Sequence, residues 1–279
     1  MAGDRITSFS RGRLTFEVRD EGPLDGDVVV LLHGFPQLNT SWDQVVPLLH
    51  AHGLRTLAPN QRGYSPSARP RGRWAHRGSE LAADVLALAD LAGRPVHLVG
   101  HDWGAAVAWG TAALAPEKVR TLTAVSVPHP GAFMAAMPRG QALGSWYMAL
   151  FNLPWLPERM LSSPRFSSWF MRRSGMTPAM MADFHRDIVE GGALRGGLGW
   201  YRALALANPQ LLRRHVQVPT TYVWSDGDVF LGRAGAHLCE RFVDAAYTFK
   251  VIEGASHWIP DEQPEEMASA ILDRIGAIS

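Results

Sequence analysis

Short apolar runs alternate with segments of helical spacing through the first part of the chain. Alternating polar and apolar positions predict a strand at 14–19. Continuous apolar runs predict buried strands at 28–32, 54–58, 96–99 and 122–127. Positions three and four residues apart predict helices at 42–50, at 79–91 with Ser79 as its cap, and at 105–114. Such alternation predicts an α/β fold, in which helices flank both faces of a mostly parallel sheet.

The pattern changes between 131 and 215, where several helical stretches occur without convincing strands. Eight of the ten methionines lie between Met134 and Met181. The same segment contains Trp146, Trp155, Trp169 and Trp200. Each of these side chains alone could fill a small helical core, but together they indicate an adaptable apolar pocket wall. We therefore predict an inserted helical cap (lid) at 131–215, between two parts of one core at 1–130 and 216–279.

After Pro219 the alternating pattern returns. Strands are expected at 220–224 and 247–252, and helices at 233–243 and 265–275. These elements complete the sheet that the first part of the chain begins.

Composition narrows the possible classes of protein. The 279 residues are 47% hydrophobic and 19% charged, which suits one sizeable globular domain with an insertion. A net charge of +1 gives no broad field for nucleic acid or an anionic membrane. The lone Cys239 excludes an intrachain disulfide and is expected to be a buried structural thiol. Without a leader or a long apolar run, we expect a cytoplasmic protein.

The segment Gly100-His101-Asp102-Trp103-Gly104 lies between a predicted strand and a predicted helix. This context favours a nucleophile elbow, in which small neighbours let the chain turn sharply around one strained reactive residue. That residue is Asp102. A carboxylate suits displacement of a strained or good leaving group from saturated carbon, leaving an ester on itself. The simpler interpretation is an aspartate that caps the following helix.

Two further groups follow later strands. Asp226 and Asp228 come after the strand at 220–224, and His257 comes after the strand at 247–252. Nucleophile, acid and histidine thus occur in the order of one known hydrolase arrangement, each past the carboxyl end of a strand. We predict that Asp228 orients His257, with Asp226 as the alternative acid.

The motif His33-Gly34-Phe35-Pro36 follows the strand at 28–32, where an oxyanion loop belongs. The backbone N–H groups of Phe35 and Trp103 are therefore expected to form an oxyanion hole. The histidines are too scattered along the chain for metal-ligand spacing, so we expect no metal. Hydrolysis by an aspartate and a histidine needs no cofactor either, so none is expected.

Together these motifs resemble those of epoxide hydrolases of the α/β-hydrolase fold, along nearly the whole chain. The specific part of the resemblance is two cap tyrosines, Tyr147 and Tyr201, at the places from which that family projects its ring-opening acids. Ser256-His257-Trp258 matches the terminal histidine motif. Two departures are Ser225, in place of the usual glycine of the acid loop, and Asn60, in place of a frequent aspartate at a site expected to be structural.

The resemblance implies hydrolysis of a small apolar epoxide by water to a vicinal diol. Asp102 would form an alkyl ester and His257 would activate water, while Tyr147 and Tyr201 would protonate the opening ring. The expected pocket residues are Phe35, Trp103, Trp146, Met148 and Trp258. The simpler interpretation of the tyrosines is structural, with packed rings and hydroxyls that reach water.

Two other functions are compatible with this fold. A haloalkane or haloacid dehalogenase needs N–H donors for halide, but Phe35 stands where many haloalkane enzymes carry Asn, and Trp103 where fluoroacetate enzymes carry Arg. A non-catalytic receptor for a small molecule would keep the pocket without the reaction. Turnover of a simple aryl epoxide separates the receptor from the enzyme.

Overall fold

The computed structural model describes residues 4–278, whose centre is an eight-stranded sheet. The strands are β1 Ser8–Arg11, β2 Leu14–Glu21, β3 Val28–Leu32, β4 Arg55–Pro59, β5 Val96–His101, β6 Val119–Val125, β7 Thr220–Ser225 and β8 Tyr247–Ile252. They lie in the order β1-β2-β4-β3-β5-β6-β7-β8. β1 and β4 both pair antiparallel with β2, and all later pairs are parallel. The predicted, mostly parallel α/β sheet is confirmed.

Helices of the core and of the inserted segment form two separate sets. The first part of the chain has α1 Val46–His50, α2 Gly78–Ala92 and α3 Trp103–Leu114. Between β6 and β7 lie α4 Pro130–Ala136, α5 Gln141–Gly144, α6 Trp146–Phe151, α7 Leu156–Leu161, α8 Pro164–Arg172, α9 Pro178–Asp183, a π-helix Phe184–Glu190, α10 Leu194–Ala203 and α11 Pro209–Leu212. The last part has α12 Arg233–Leu238, α13 Ile259–Glu262 and α14 Pro264–Gly276.

We call residues 130–212 the cap, because they are helical and interrupt the sheet. The division of the chain at 131 and 215 stays a prediction. None of the helices described between residues 4 and 278 is both long and apolar enough to cross a lipid bilayer.

The central strands β3 to β7 are buried on both faces of the sheet, as parallel strands covered by helices require. In β3, Val28, Val30 and Leu32 pack into one hydrophobic cluster, while Val29 and Leu31 pack into the other. Side chains of α2 and α3 belong to the first cluster, and those of α1 and α14 belong to the second. This explains why the strand reads as a continuous apolar run.

Several predicted helices differ from the observed ones in their ends. The helix expected at 42–50 is a 3₁₀ turn, Asn39–Trp42, followed by α1, because Pro47 suits only the first turn of a helix. The helix expected at 233–243 ends at Leu238 and continues as the 3₁₀ turn Cys239–Phe242. Ser79 is inside α2 and caps nothing, since the N-cap position is Arg77. The short edge strand β1, the helix α13 and further 3₁₀ turns were not predicted. Those turns are Pro66–Ala68, Arg73–His76, Pro116–Lys118, Met137–Arg139 and Leu204–Leu206.

Two residues singled out from the sequence lie in structural positions. Cys239 is buried, and its Sγ accepts a hydrogen bond from the His129 N–H at 3.2 Å. The side chain of Asn60 accepts a hydrogen bond from the Asn39 N–H at 3.1 Å and donates to the Glu17 carboxylate at 3.2 Å. Both side chains tie neighbouring segments of the core together.

The cap rests on the core at a contact between two backbones. A Cβ atom on Gly196, in α10, would lie 2.0 Å from the carbonyl oxygen of Gly63 in the core. Gly63 itself has φ +93°, a conformation that favours glycine. The pair of glycines therefore sets how closely α10 approaches the sheet.

We expect Gly196→Ala to destabilise the protein by about 1–3 kcal/mol, because the added methyl group forces α10 away from Gly63. Gly110→Ala is the matched control, since Gly110 is inside α3 and a Cβ there meets no atom within 4 Å. That change removes a helical glycine and should stabilise by about 0.5–1 kcal/mol. Urea unfolding of both variants measures the difference. A Gly196→Ala protein as stable as the parent would contradict the role of this contact.

Candidate active site

β5 passes into α3 through a single residue, Asp102. This residue has φ 51° and ψ −121°, a strained conformation for a residue with a side chain. The turn is tight on both sides. A Cβ on Gly100 would lie 2.3 Å from the carbonyl oxygen of Gly104, and one on Gly104 would lie 2.2 Å from that of Leu32. The two glycines of the motif are therefore required by the geometry of the elbow.

The carboxylate of Asp102 faces two backbone N–H groups. The N–H of Phe35 donates a hydrogen bond to Oδ1 at 2.7 Å, and the N–H of Trp103 helps to lower the pKa of the carboxylate. Because β3 pairs in parallel with β5, the loop after β3 ends beside the elbow. A Cβ on Gly34 would lie 2.4 Å from the Cβ of Asp102, so only glycine permits this approach. The arrangement can hold a negative oxygen on the carboxyl carbon.

His257 lies between two carboxylates and is almost fully buried. Its Nδ1 donates to Oδ2 of Asp228 at 2.7 Å, and its Nε2 is 3.3 Å from Oδ2 of Asp102. Burial alone lowers the pKa of His257, but the charges of the two carboxylates and the hydrogen bond to Asp228 outweigh it and raise the pKa to about 10. Although burial raises the pKa of Asp102, the nearby charge of His257 lowers it below its ordinary value. Both members of the Asp102–His257 pair are therefore charged near neutral pH.

The acid that contacts His257 is Asp228. Its Oδ1 accepts hydrogen bonds from the N–H groups of Phe230 and Leu231, at 2.7 and 3.0 Å, which leaves Oδ2 for the histidine. Asp226 instead accepts from the Gly254 N–H at 2.8 Å, on the exposed side of the same turn. The structure therefore brings Asp228, and not Asp226, to the site.

The backbone around His257 is fixed by side chains that sequence reasoning did not identify. The carbonyl oxygen of His257 accepts from His101 Nε2 at 2.9 Å and from the Ser126 hydroxyl at 3.0 Å. Burial lowers the pKa of His101 to about 4, so its ring is neutral and its proton lies on Nε2. The hydroxyl of Ser225, at the motif departure, donates to the carbonyl of Ser256 at 2.6 Å. These bonds join the elbow and β7 to the histidine loop.

Both cap tyrosines face the same space above Asp102. Tyr147, in α6, and Tyr201, in α10, have ring centroids 6.1 Å apart. The Tyr201 ring packs edge-on against Phe35 at 5.4 Å and against Trp103 at 4.9 Å. Burial raises the pKa of both phenols, and the negative charge of Asp102 raises each further. The hydroxyls therefore stay protonated and can act as acids.

Asp102, His257 and the two tyrosines line one cavity, whereas Asp228 lies behind His257 and outside the lining. Its lining is aromatic and apolar apart from the titratable groups of the site. The lining residues are Phe35, Pro36, Asp102, Tyr147, Phe151, Phe170, Met171, Tyr201, Phe230, His257 and Trp258. No lysine or arginine is among them, so the cavity suits an uncharged apolar molecule.

The lining differs from the predicted pocket. Phe35 and Trp258 are part of it, whereas Trp103, Trp146 and Met148 are not. Trp146 is 52% exposed, and its ring packs edge-on against Phe170, which takes the place at the cavity that we expected for Trp146. In the short helices of the cap, neighbouring side chains point in different directions. Closeness to Tyr147 in the sequence therefore did not show which side chains line the cavity.

No group of three or more His, Cys, Asp or Glu side chains within residues 4–278 is arranged to hold a metal ion. Two of the buried titratable groups at the cavity, Asp102 and His257, instead form an ionic pair.

A nucleophile candidate, a histidine and an acid at the ends of parallel strands, under a helical cap, define a hydrolase of the α/β class. A model of the alpha/beta hydrolase family matches residues 29–270. The chain belongs to this family, and the fold predicted from the motifs is confirmed.

Relatives within the family include named epoxide hydrolases. The Bacillus subtilis AB hydrolase superfamily protein YfhM is 34% identical over 284 residues, which cover 98% of each chain. Epoxide hydrolase 2 of Caenorhabditis elegans is 34% identical over 262 residues, 88% of this chain and 73% of its own length. The crystal structure of epoxide hydrolase VrEH1 from Vigna radiata has a TM-score of 0.82 at 26% identity, covering 97% of both chains. The resemblance to epoxide hydrolases is thereby confirmed.

We expect Asp228→Asn to slow turnover by roughly 10⁴-fold, the effect of removing the acid from a comparable triad. The amide keeps the shape of the side chain but loses the charge that stabilises the imidazolium of His257. Asp226→Asn is the matched control and should change turnover little, because Asp226 only bonds the Gly254 N–H. Steady-state kinetics on one epoxide compare the two variants. A larger loss of turnover with Asp226→Asn would show that Asp226, and not Asp228, is the acid.

Proposed function

We propose that the protein hydrolyses epoxides to vicinal diols through an alkyl ester on Asp102. The observation that carries this proposal is an aspartate at the elbow whose two oxygens have different surroundings. Oδ1 is 2.7 Å from the N–H of Phe35, whereas Oδ2 is 3.3 Å from Nε2 of His257. The names of the relatives support the same substrate class.

In the first step, a lone pair of Asp102 Oδ2 forms a bond to one epoxide carbon while the bond from that carbon to the ring oxygen breaks. The departing alkoxide is strongly basic and takes a proton from Tyr147 or Tyr201, and the other hydroxyl donates a hydrogen bond to it. Both phenols are protonated beforehand because burial raises their pKa. The products are a hydroxyalkyl ester on Asp102 and a tyrosinate, which later regains its proton from solvent.

The second step needs a neutral histidine. An ester carries no charge, so alkylation of Asp102 removes one of the two carboxylates that raise the pKa of His257. The imidazolium can then give its proton to solvent, and the neutral imidazole accepts another from water as that water attacks the ester carbonyl. The N–H groups of Phe35 and Trp103 hold the oxyanion. As the oxyanion collapses, the bond from the carboxyl carbon to the diol oxygen breaks and that oxygen takes the proton of the new carboxyl group, which releases the diol and restores the Asp102 carboxylate beside the imidazolium.

The two phenols at the cavity favour this reaction over dehalogenation. A halide leaves as a stable anion and needs no proton, whereas an epoxide oxygen does. The complete set of nucleophile, base and acid likewise favours an enzyme over a receptor that only binds its ligand. The substrate that fits the lining is small and apolar.

We expect the first turnover to place an enzyme oxygen in the diol. In water labelled with heavy oxygen and with enzyme in excess, the new hydroxyl should carry the ordinary oxygen of Asp102. His257→Gln should open the ring yet hydrolyse the ester slowly, so mass spectrometry should find the adduct on Asp102. Label from solvent in the first turnover would exclude the covalent path.

Each change Tyr147→Phe and Tyr201→Phe should slow ring opening by roughly 10–100-fold, because a hydrogen bond to a charged group contributes about 1.5–3 kcal/mol. The double variant should nearly abolish opening while ester hydrolysis is spared. Tyr247→Phe is the control, because the Tyr247 hydroxyl is buried in β8 and has no hydrogen-bond partner among the described residues. Rapid-mixing kinetics resolve the two steps. A double variant that opens epoxides at the parent rate would remove the tyrosines from the mechanism.

A further inference from the structure

One buried amide of the cap holds the loop that carries the acid. Gln141, at the start of α5, is 4% exposed. Its Nε2 donates to the carbonyl oxygen of Phe230 at 2.6 Å and to the hydroxyl of Ser145 at 2.9 Å. Its Oε1 accepts from the N–H of Gly232 at 2.9 Å. A single side chain thus satisfies backbone groups on both sides of Leu231.

We call residues 228–232 the acid loop. From the core side, Asp228 Oδ1 accepts from the N–H groups of Phe230 and Leu231, and the Trp224 indole donates to the carbonyl of Leu231 at 2.9 Å. Gln141 supplies two further bonds to this loop from the cap side. A Cβ on Gly144 would lie 3.0 Å from the carbonyl oxygen of Phe230, so α5 itself rests on the loop.

Gln141 also contacts the residue that precedes α6, the helix that carries Tyr147. Ser145, which Gln141 also bonds, immediately precedes α6, and Tyr147 is the second residue of that helix. From the other side, the Phe230 ring lies 5.1 Å from the Tyr147 ring and 5.2 Å from the His257 ring. The amide therefore joins the segment that bears the acid to the segment that bears a ring-opening phenol.

We propose that Gln141 is a positioning residue. It holds the acid loop in a fixed position relative to α6, the helix that carries Tyr147, so that both steps of the reaction depend on it. This inference rests on the proposed two-step function and deepens it. Removing the amide leaves the Phe230 carbonyl and the Gly232 N–H without their partners in a buried place, and the loop must move to satisfy them. Movement displaces Asp228, which the second step uses, and the Phe230 ring, which packs on Tyr147.

Replacing Gln141 should change the rates of the two steps in a different way from replacing Tyr147 or Asp228. Tyr147→Phe should slow ester formation alone, and Asp228→Asn should slow ester hydrolysis far more than ester formation. Gln141→Leu, although Gln141 touches no reacting atom, should slow both steps by roughly tenfold or more. Residues that act through a shared loop couple in this way.

Rapid-mixing kinetics with an apolar aryl epoxide test the proposal. The burst amplitude counts correctly folded sites, so a variant that is only less stable loses amplitude and keeps its rate constants. Gln210→Leu is the matched control, because Gln210 is an exposed glutamine of the cap helix α11. It should leave both rate constants unchanged.

Measurements on the parent enzyme distinguish failure of the proposed function from failure of the role of Gln141. Absence of an Asp102 ester in the parent would overturn the proposed function. An ester in the parent, with both rate constants kept in Gln141→Leu or only one of them slowed, would overturn the role of Gln141. If Gln141→Leu does not fold, Gln141→Asn decides, because its shorter amide cannot reach Phe230 and Gly232 together. Both steps should again be slowed, and parent rates in that variant would contradict the proposal.

Discussion

The negative charge of Asp102 is the feature on which the arrangement of the site depends. A carboxylate buried at a strained turn is costly unless hydrogen bonds and an opposite charge compensate it. Here the N–H of Phe35 at 2.7 Å and the imidazolium of His257 at 3.3 Å do so. The parallel pairing of β3 and β5 brings Phe35 to the elbow, and Gly34 leaves the space that this approach needs.

The same charge also acts on the histidine and on the two tyrosines of the site. It contributes to the raised pKa of His257 and to the raised pKa of Tyr147 and Tyr201. In the proposed reaction, formation of the ester removes that charge at once. The phenols then become stronger acids as the alkoxide forms, and the histidine becomes able to act as a base. A single covalent event would thus prepare the site for both proton transfers, and it requires no movement of the protein.

The sequence predicted those parts of the molecule that local patterns encode. Buried strands appear as apolar runs, and Asp102, Asp228 and His257 each follow one of them within a few residues, so their meeting at one edge of the sheet could be expected. The lining of the cap could not be predicted, because short helices turn Phe170 inward and leave Trp146 half exposed. The hydrogen bonds from Gln141 to Phe230 and from His101 to His257 could not be predicted either, since they join residues 89 and 156 positions apart in the chain.

The effect of the Asp102 charge on the pKa of His257 can be measured by titrating the imidazole nitrogens with ¹⁵N NMR in the parent and in Asp102→Asn. The asparagine is uncharged, as the ester is, while Asp228 remains in place. The parent imidazole should stay protonated well above the ordinary pKa of 6.5, towards about 10, because two carboxylates outweigh its burial. In Asp102→Asn the pKa should be clearly lower, because only one carboxylate remains. The same pKa in both proteins would contradict the account.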